Sequence, residues 1–117
     1  MAETIESAES IPYKEIPNFP VSNVQGHAGK MVFGLLNGIE VMCMQGRFHH
    51  YEGYSLSTCS VPVRVMQIIG CSHLIATNAV GGLNENYKVG DIMIVRDHIN
   101  IMGFVGNSPL HGVNDLR

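Results

Sequence analysis

The stretch Gln45 to Gly53, "QGRFHHYEG", gathers an arginine, two histidines, a tyrosine and a glutamate directly after an apolar run. The whole chain has seven Lys and Arg residues, so this concentration of polar chemistry asks for an explanation. The guanidinium of Arg47 presents a planar fork of donors that suits a phosphate or a carboxylate. His49 lies two residues on and, in extended backbone, faces the same side as Arg47. Its imidazole can donate to the same anion and can gain a proton as the anion binds. Tyr51 offers an apolar wall tipped by a hydroxyl, useful against a sugar-like ligand. Glu52 can orient Arg47 or receive a histidine proton. The plain alternatives are a surface arginine ion-paired with Glu52 and a hydrogen-bonded structural histidine. His50 faces the other way and reads as structural.

A second loop, "TNAVGG" from Thr77 to Gly82, contains Asn78, Ala79 and two glycines that allow close backbone approach to a ligand. An ordinary strand-to-loop turn has the same composition. The loop lacks the lysine of a Walker motif and the spacing of a Rossmann fingerprint. His27, between Gly26 and Gly29, either reaches an anion or plays a local role. Asp97 and His98 are neighbours, which face opposite ways on a strand and make a poor dyad. The six histidines show no metal-ligand spacing,. No G-x-S-x-G nucleophile elbow occurs. The expectation is an oxyanion site with no metal and no cofactor.

The elements that must position these loops follow from pattern. "KMVFGLLNGIEVMCMQG" reads as two strands joined by Asn37-Gly38, a strong hairpin signal. The second strand, Ile39 to Gln45, holds one charge and is expected to be buried on both faces. "SLSTCSVPVRVMQIIGC" fits a helix ending near Gly70, with Ser57 or Thr58 as its cap and Pro62 in its first turn. "SHLIATN" and "DIMIVRDHI" are expected as two further strands. Residues 1–12 read as a flexible leader and residues 13–117 as one incomplete domain. Strand, helix, strand in that order predicts an α/β fold with a right-handed crossover. Ligands in such sheets collect at the carboxyl ends of strands, where both unusual loops fall.

Composition narrows the function. At 117 residues and 45% apolar content, one domain could bury roughly two-thirds of its unfolded surface. The net charge is -3. Residues 1–15 account for it, with Glu3, Glu6, Glu9 and Glu15 against Lys14. The neutral remainder has no basic stripe, so a nucleic-acid partner is not expected. No apolar run reaches the roughly 18–20 residues of a membrane span. Cys43, Cys59 and Cys71 lack paired spacing and read as buried thiols of a reducing, cytoplasmic compartment.

"KEIPNFP", "GHAGKMVFG", "MQGRFHHYEGY", "VPVRV", "TNAVGGLN" and "VGDIMIVRDHIN" together resemble the nucleoside phosphorylase family. The match is to its trimeric, inosine- and guanosine-cleaving purine nucleoside phosphorylases and runs from about Tyr13 to Arg117. The methylthioadenosine-cleaving cousins typically carry "RHG" and "TTACGS"-like stretches where this chain has "QGRFHHYEG" and "TNAVGG". The resemblance implies phosphorolysis: inorganic phosphate displaces a purine from ribose or deoxyribose with inversion. It further implies that Arg47 and His49 are the catalytic phosphate ligands, that Ala79 (through its backbone) and His27 also meet phosphate, that Tyr51 lies against the ribose, and that Asn78 supports its loop. It implies a homotrimer working in purine salvage.

Measured against the family pattern, no glycine-serine-glycine phosphate loop precedes "KEIPNFP". Nor does the sequence contain the family's purine-gripping glutamate and asparagine, second phosphate serine or ribose histidine. The expectation is therefore a partial nucleoside-phosphorylase fold, a mixed sheet with a flanking helix, with the first strand and C-terminal half absent. The alternatives are an inactive truncated chain keeping part of the phosphate site or an oligomer interface and, further off, a methylthioadenosine phosphorylase.

Overall fold

The structure is a computed structural model that describes residues 2–22, 24, 26–109 and 111, with Met102 described in its backbone alone. Three strands form one antiparallel sheet in the order β1-β2-β3: β1 is Glu6–Pro12, β2 is Lys30–Leu36 and β3 is Ile39–Gln45. One α-helix, α1, spans Leu56–Ile69.

The hairpin forms where it was expected. Leu36 pairs with Ile39 across a two-residue turn, and Asn37 and Gly38 adopt φ of +51° and +78°. Two consecutive positive φ values give the turn a twist that matches the strands, which is why Asn-Gly serves there. β3 is not buried on both faces: Ile39 and Glu40 are exposed and its other residues are half-buried. It lies at an edge of the described sheet, where no further described strand pairs with its outer side.

β1 falls inside the stretch expected as a leader. It pairs antiparallel with β2, Glu9 opposite Phe33 and Ile11 opposite Met31, with an irregularity between Glu6 and Glu9. Its side chains are mostly exposed, so backbone pairing rather than an apolar face holds it. Gly34 makes the close approach possible. A β-carbon there would lie 2.5 Å from Ile5 Cγ2 and 2.6 Å from the Glu6 carbonyl oxygen.

The core sits between the sheet and α1. Tyr13, Phe19, Met31, Phe48 and Met66 are its buried members. Tyr13 meets Phe19 at 5.0 Å between ring centroids, and Phe19 meets Phe48 edge-on at 6.0 Å. Such tilted and T-shaped pairs add to simple burial. Burial and the nearby Cys43 push the Tyr13 phenol up to about 12, so it stays a donor, to the Gly46 carbonyl at 2.7 Å.

α1 starts earlier than its sequence suggested. Ser55, not Ser57 or Thr58, is the cap, accepting from the Thr58 amide at 3.0 Å. Pro62 is therefore the seventh helical residue rather than a first-turn residue. It is buried with Met66, while Cys59, Val61 and Val65 pack around the core and Ile68 and Ile69 are exposed. Gly70, at φ +106°, ends the helix.

The two later strands do not form. Residues 73–79 and 91–99 pair with no strand among the described residues. A β-strand needs a neighbour for its amides and carbonyls, and the described sheet offers neither segment one. The expected mixed sheet is accordingly antiparallel throughout, and the crossover is not completed. Locally, Asn84 and Asp91 organise turns by accepting from the amides of Asn86 and Lys88 at 3.0 and 2.9 Å. A short 3-10 turn follows at Ile101–Val105.

Candidate phosphate site

The arginine loop leaves the end of β3 and is pinned by alternation. Phe48 is buried in the core, while Arg47 is exposed and His49 half-buried. Among the described residues the Arg47 guanidinium has no hydrogen-bond or ion-pair partner. The ion pair with Glu52 that the spacing allowed is not the arrangement found.

Glu52 turns to His49 instead. Its Oε1 accepts from the His49 amide at 2.7 Å and lies 2.9 Å from His49 Nδ1. Glu52 thereby supplies the glutamate half of a capping box at the 3-10 turn His50–Glu52, reaching back to the His49 amide,. A carboxylate only accepts, so this pairing puts the His49 proton on Nδ1 and leaves Nε2 without a hydrogen-bond partner among the described residues. The Glu52 side chain is 8% exposed against 31% for His49, which leaves the imidazole as the reachable end of the pair. Burial, and then the Glu52 carboxylate, push the Cys59 thiol up.

His27 joins the same cluster. Its Nδ1 sits against the backbone of Arg47, facing the carbonyl oxygen and the amide. Which of the two it bonds depends on its tautomer. Gly46, at φ +99°, makes room for it: a β-carbon there would lie 2.8 Å from His27 Cβ. The His27 and His49 rings are 5.3 Å apart, and Tyr51 stacks on His49 at 4.7 Å. His50 bonds the Tyr54 carbonyl at 2.7 Å, a structural role as its direction suggested.

Arg47, His49, His27 and Tyr51 are thus gathered at one rim. Asn78 and Ala79 lie in the exposed segment after α1, and the contacts described do not join them to that rim. Sequence reasoning overlooked Ser22, which donates to Glu52 Oε2 at 3.0 Å. Its signal was weak: one serine thirty residues upstream, in a loop. The pairing of Glu52 with His49 was legible as a histidine followed three residues later by glutamate. Among the described residues, no cluster of three or more His, Cys, Asp or Glu could hold a metal, and no helix is long and apolar enough to cross a membrane.

Beyond the geometry of this rim, the kinship of the chain is clear. Residues 1–116 match the profile of the phosphorylase superfamily, and the chain belongs to that superfamily. Over 117 residues it is 63% identical to the purine nucleoside phosphorylase of Anopheles gambiae, covering all of this chain and 33% of that protein. Over 113 residues it is 60% identical to that of Mus musculus, covering 97% and 39%. A solved Schistosoma mansoni purine nucleoside phosphorylase in complex with inosine superposes with a TM-score of 0.88 at 48% identity, covering 97% of this chain and 40% of that one. A solved purine nucleoside phosphorylase in complex with ribose-1-phosphate gives 0.88 and 48%, covering 97% and 42%. The chain therefore spans 33% to 42% of the length of these relatives. Its three strands and helix are part of the phosphorylase fold.

Proposed function

We propose that this chain carries the phosphate side of a purine nucleoside phosphorylase active site. Inorganic phosphate attacks the anomeric carbon of inosine, guanosine or their deoxy forms, the glycosidic bond breaks, and free purine and pentose 1-phosphate result. The observation that carries this reading is an Arg47 guanidinium with no partner among the described residues, two positions from a His49 whose Nδ1 is held by Glu52. Arg47 holds phosphate bidentately and His49 completes its cradle. His27 and the Ala79 backbone add contacts, Tyr51 lies against the ribose, and Asn78 supports its loop. Phosphate held there stabilises the oxocarbenium-like sugar that develops as the purine leaves, which favours the transition state over the ground state. Phosphate is the nucleophile, so the protein supplies none. We read the assembly as a homotrimer and the compartment as cytoplasmic, serving purine salvage. The three free cysteines Cys43, Cys59 and Cys71 are in keeping with a reducing compartment.

Titration of the chain with inorganic phosphate, followed by calorimetry, tests the site. Arg47→Ala is expected to weaken binding about tenfold or more, since bonds to a charged group contribute roughly 1.5–3 kcal/mol. Equal affinity in the variant sinks the assignment. A second reading is favoured by the exposed Asn78 and Ala79, which no described contact joins to the rim: a phosphorylase-like chain that keeps part of the phosphate site or an oligomer interface without turnover. A coupled inosine phosphorolysis assay separates the two, and a normal rate excludes the second.

A further inference from the structure

Glu52 meets His49 through one carboxylate oxygen and Ser22 through the other. The Val21 backbone is clamped on both sides by Tyr54: its amide donates to Tyr54 Oη at 3.2 Å, and its carbonyl accepts from the same hydroxyl at 2.6 Å. That clamp delivers Ser22 to the rim. The Ser22 hydroxyl accepts from the Val24 amide at 3.2 Å, and its single proton goes to Glu52 Oε2 at 3.0 Å. Its oxygen also lies 3.4 Å from His27 Nδ1. Ser22 thus touches both histidine arrangements at the rim, His27 directly and His49 through Glu52.

We propose that Ser22 is a positioning residue of the anion site, fixing through Glu52 the ring tautomer that His49 offers to its ligand. This rests on the phosphate reading above and extends it. With Ser22 donating, Oε1 of Glu52 stays on both donors of His49, the Nδ1–H form dominates, and Nε2 is free. A neutral Nε2 accepts from the P–OH of monohydrogen phosphate, and a protonated one donates to the anion. In either state the correct nitrogen faces the ligand. Without the Ser22 proton, the nearly buried carboxylate loses a charge-assisted bond and orients the ring less firmly. The ring is then released to exchange tautomers.

Histidine-selective 15N NMR of the 117-residue chain reads the tautomer directly, with His49 assigned by its loss in His49→Gln. The Nδ1–H form is expected to dominate in the parent. Ser22→Ala is expected to lower its population at least twofold and to weaken inorganic phosphate binding at least threefold. Ser22→Thr, which keeps the hydroxyl, is expected to restore both. An unchanged His49 tautomer in a folded Ser22→Ala chain overturns the proposal. Should that variant fail to fold, Ser22→Cys keeps the volume with a weaker donor and is read in the same way. A tautomer that responds as described while no form of the chain binds phosphate supports the positioning role and sinks the phosphate assignment.

Discussion

Residues 31–34, "MVFG", and residues 92–95, "IMIV", are similar runs of apolar side chains with opposite fates. Met31 and Val32 are 1% and 4% exposed, whereas Ile92 and Ile94 are 93% and 92% exposed. The first run lies between two paired strands, with β1 on one side and β3 on the other. The second pairs with no strand among the described residues. Hydrophobic content makes a strand possible, but a neighbouring ladder and an opposing layer make it real. The same contrast separates the two candidate loops. The arginine loop is anchored by a buried Phe48 with T-shaped contacts. The "TNAVGG" loop hangs between two unpaired segments.

The comparison can be broken most forcefully at Tyr13. Tyr13→Ala empties the centre of the core and orphans the Gly46 carbonyl, and should cost about 3–5 kcal/mol, measured by urea denaturation. A loss below 1 kcal/mol, within the range of about ±0.5 kcal/mol usual for surface changes, would show that the first region is no better packed than the second. Gly46→Ala combines an unfavourable positive φ with a clash against His27 and should cost about 1–3 kcal/mol. It should also weaken phosphate binding, as His27 is pushed from the Arg47 backbone. Unaltered binding in Gly46→Ala would mean that His27 plays no part at the rim.

Titration sharpens the same contrast. Tyr13 is raised from 10.0 to about 12 by burial and Cys43, so between these values the folded chain keeps a proton that the unfolded chain loses. Stability is therefore intact below about pH 10 and falls as pH rises through about 12, by on the order of 2 kcal/mol. Tyr13→Phe, which cannot ionise there, should lack that part of the decline. The smallest effect belongs to the extended region. Ile94→Ala should change stability by less than about 0.5 kcal/mol, and amides 91–99 should exchange with deuterium far faster than those of β2. Slow exchange across 91–99 would reveal a partner strand and erase the distinction.

Much of this was legible beforehand, for identifiable reasons. Asn37-Gly38 encodes a hairpin through local backbone preference alone. The helix over residues 56–69 was legible in its spacing, but its cap moved from Ser57 or Thr58 to Ser55, because several hydroxyls competed and only tertiary packing chose among them. β1 escaped detection since "ESAESIP" has no apolar alternation; what seats it is a missing side chain on the partner, Gly34. At the site, Arg47 and His49 could be paired from their two-residue spacing. Ser22 could not, because its link to Glu52 spans thirty residues and depends on where Tyr54 clamps Val21.

By itself the order of residues determined the family, the hairpin turn, the helix and the chemical character of the rim. These depend on short-range backbone preferences and on which side chains exist. Tertiary structure decided which apolar runs become strands and which oxygens of Glu52 meet His49 and Ser22. Each of those outcomes requires groups distant in sequence to satisfy one another's hydrogen bonds, and no local pattern specifies that.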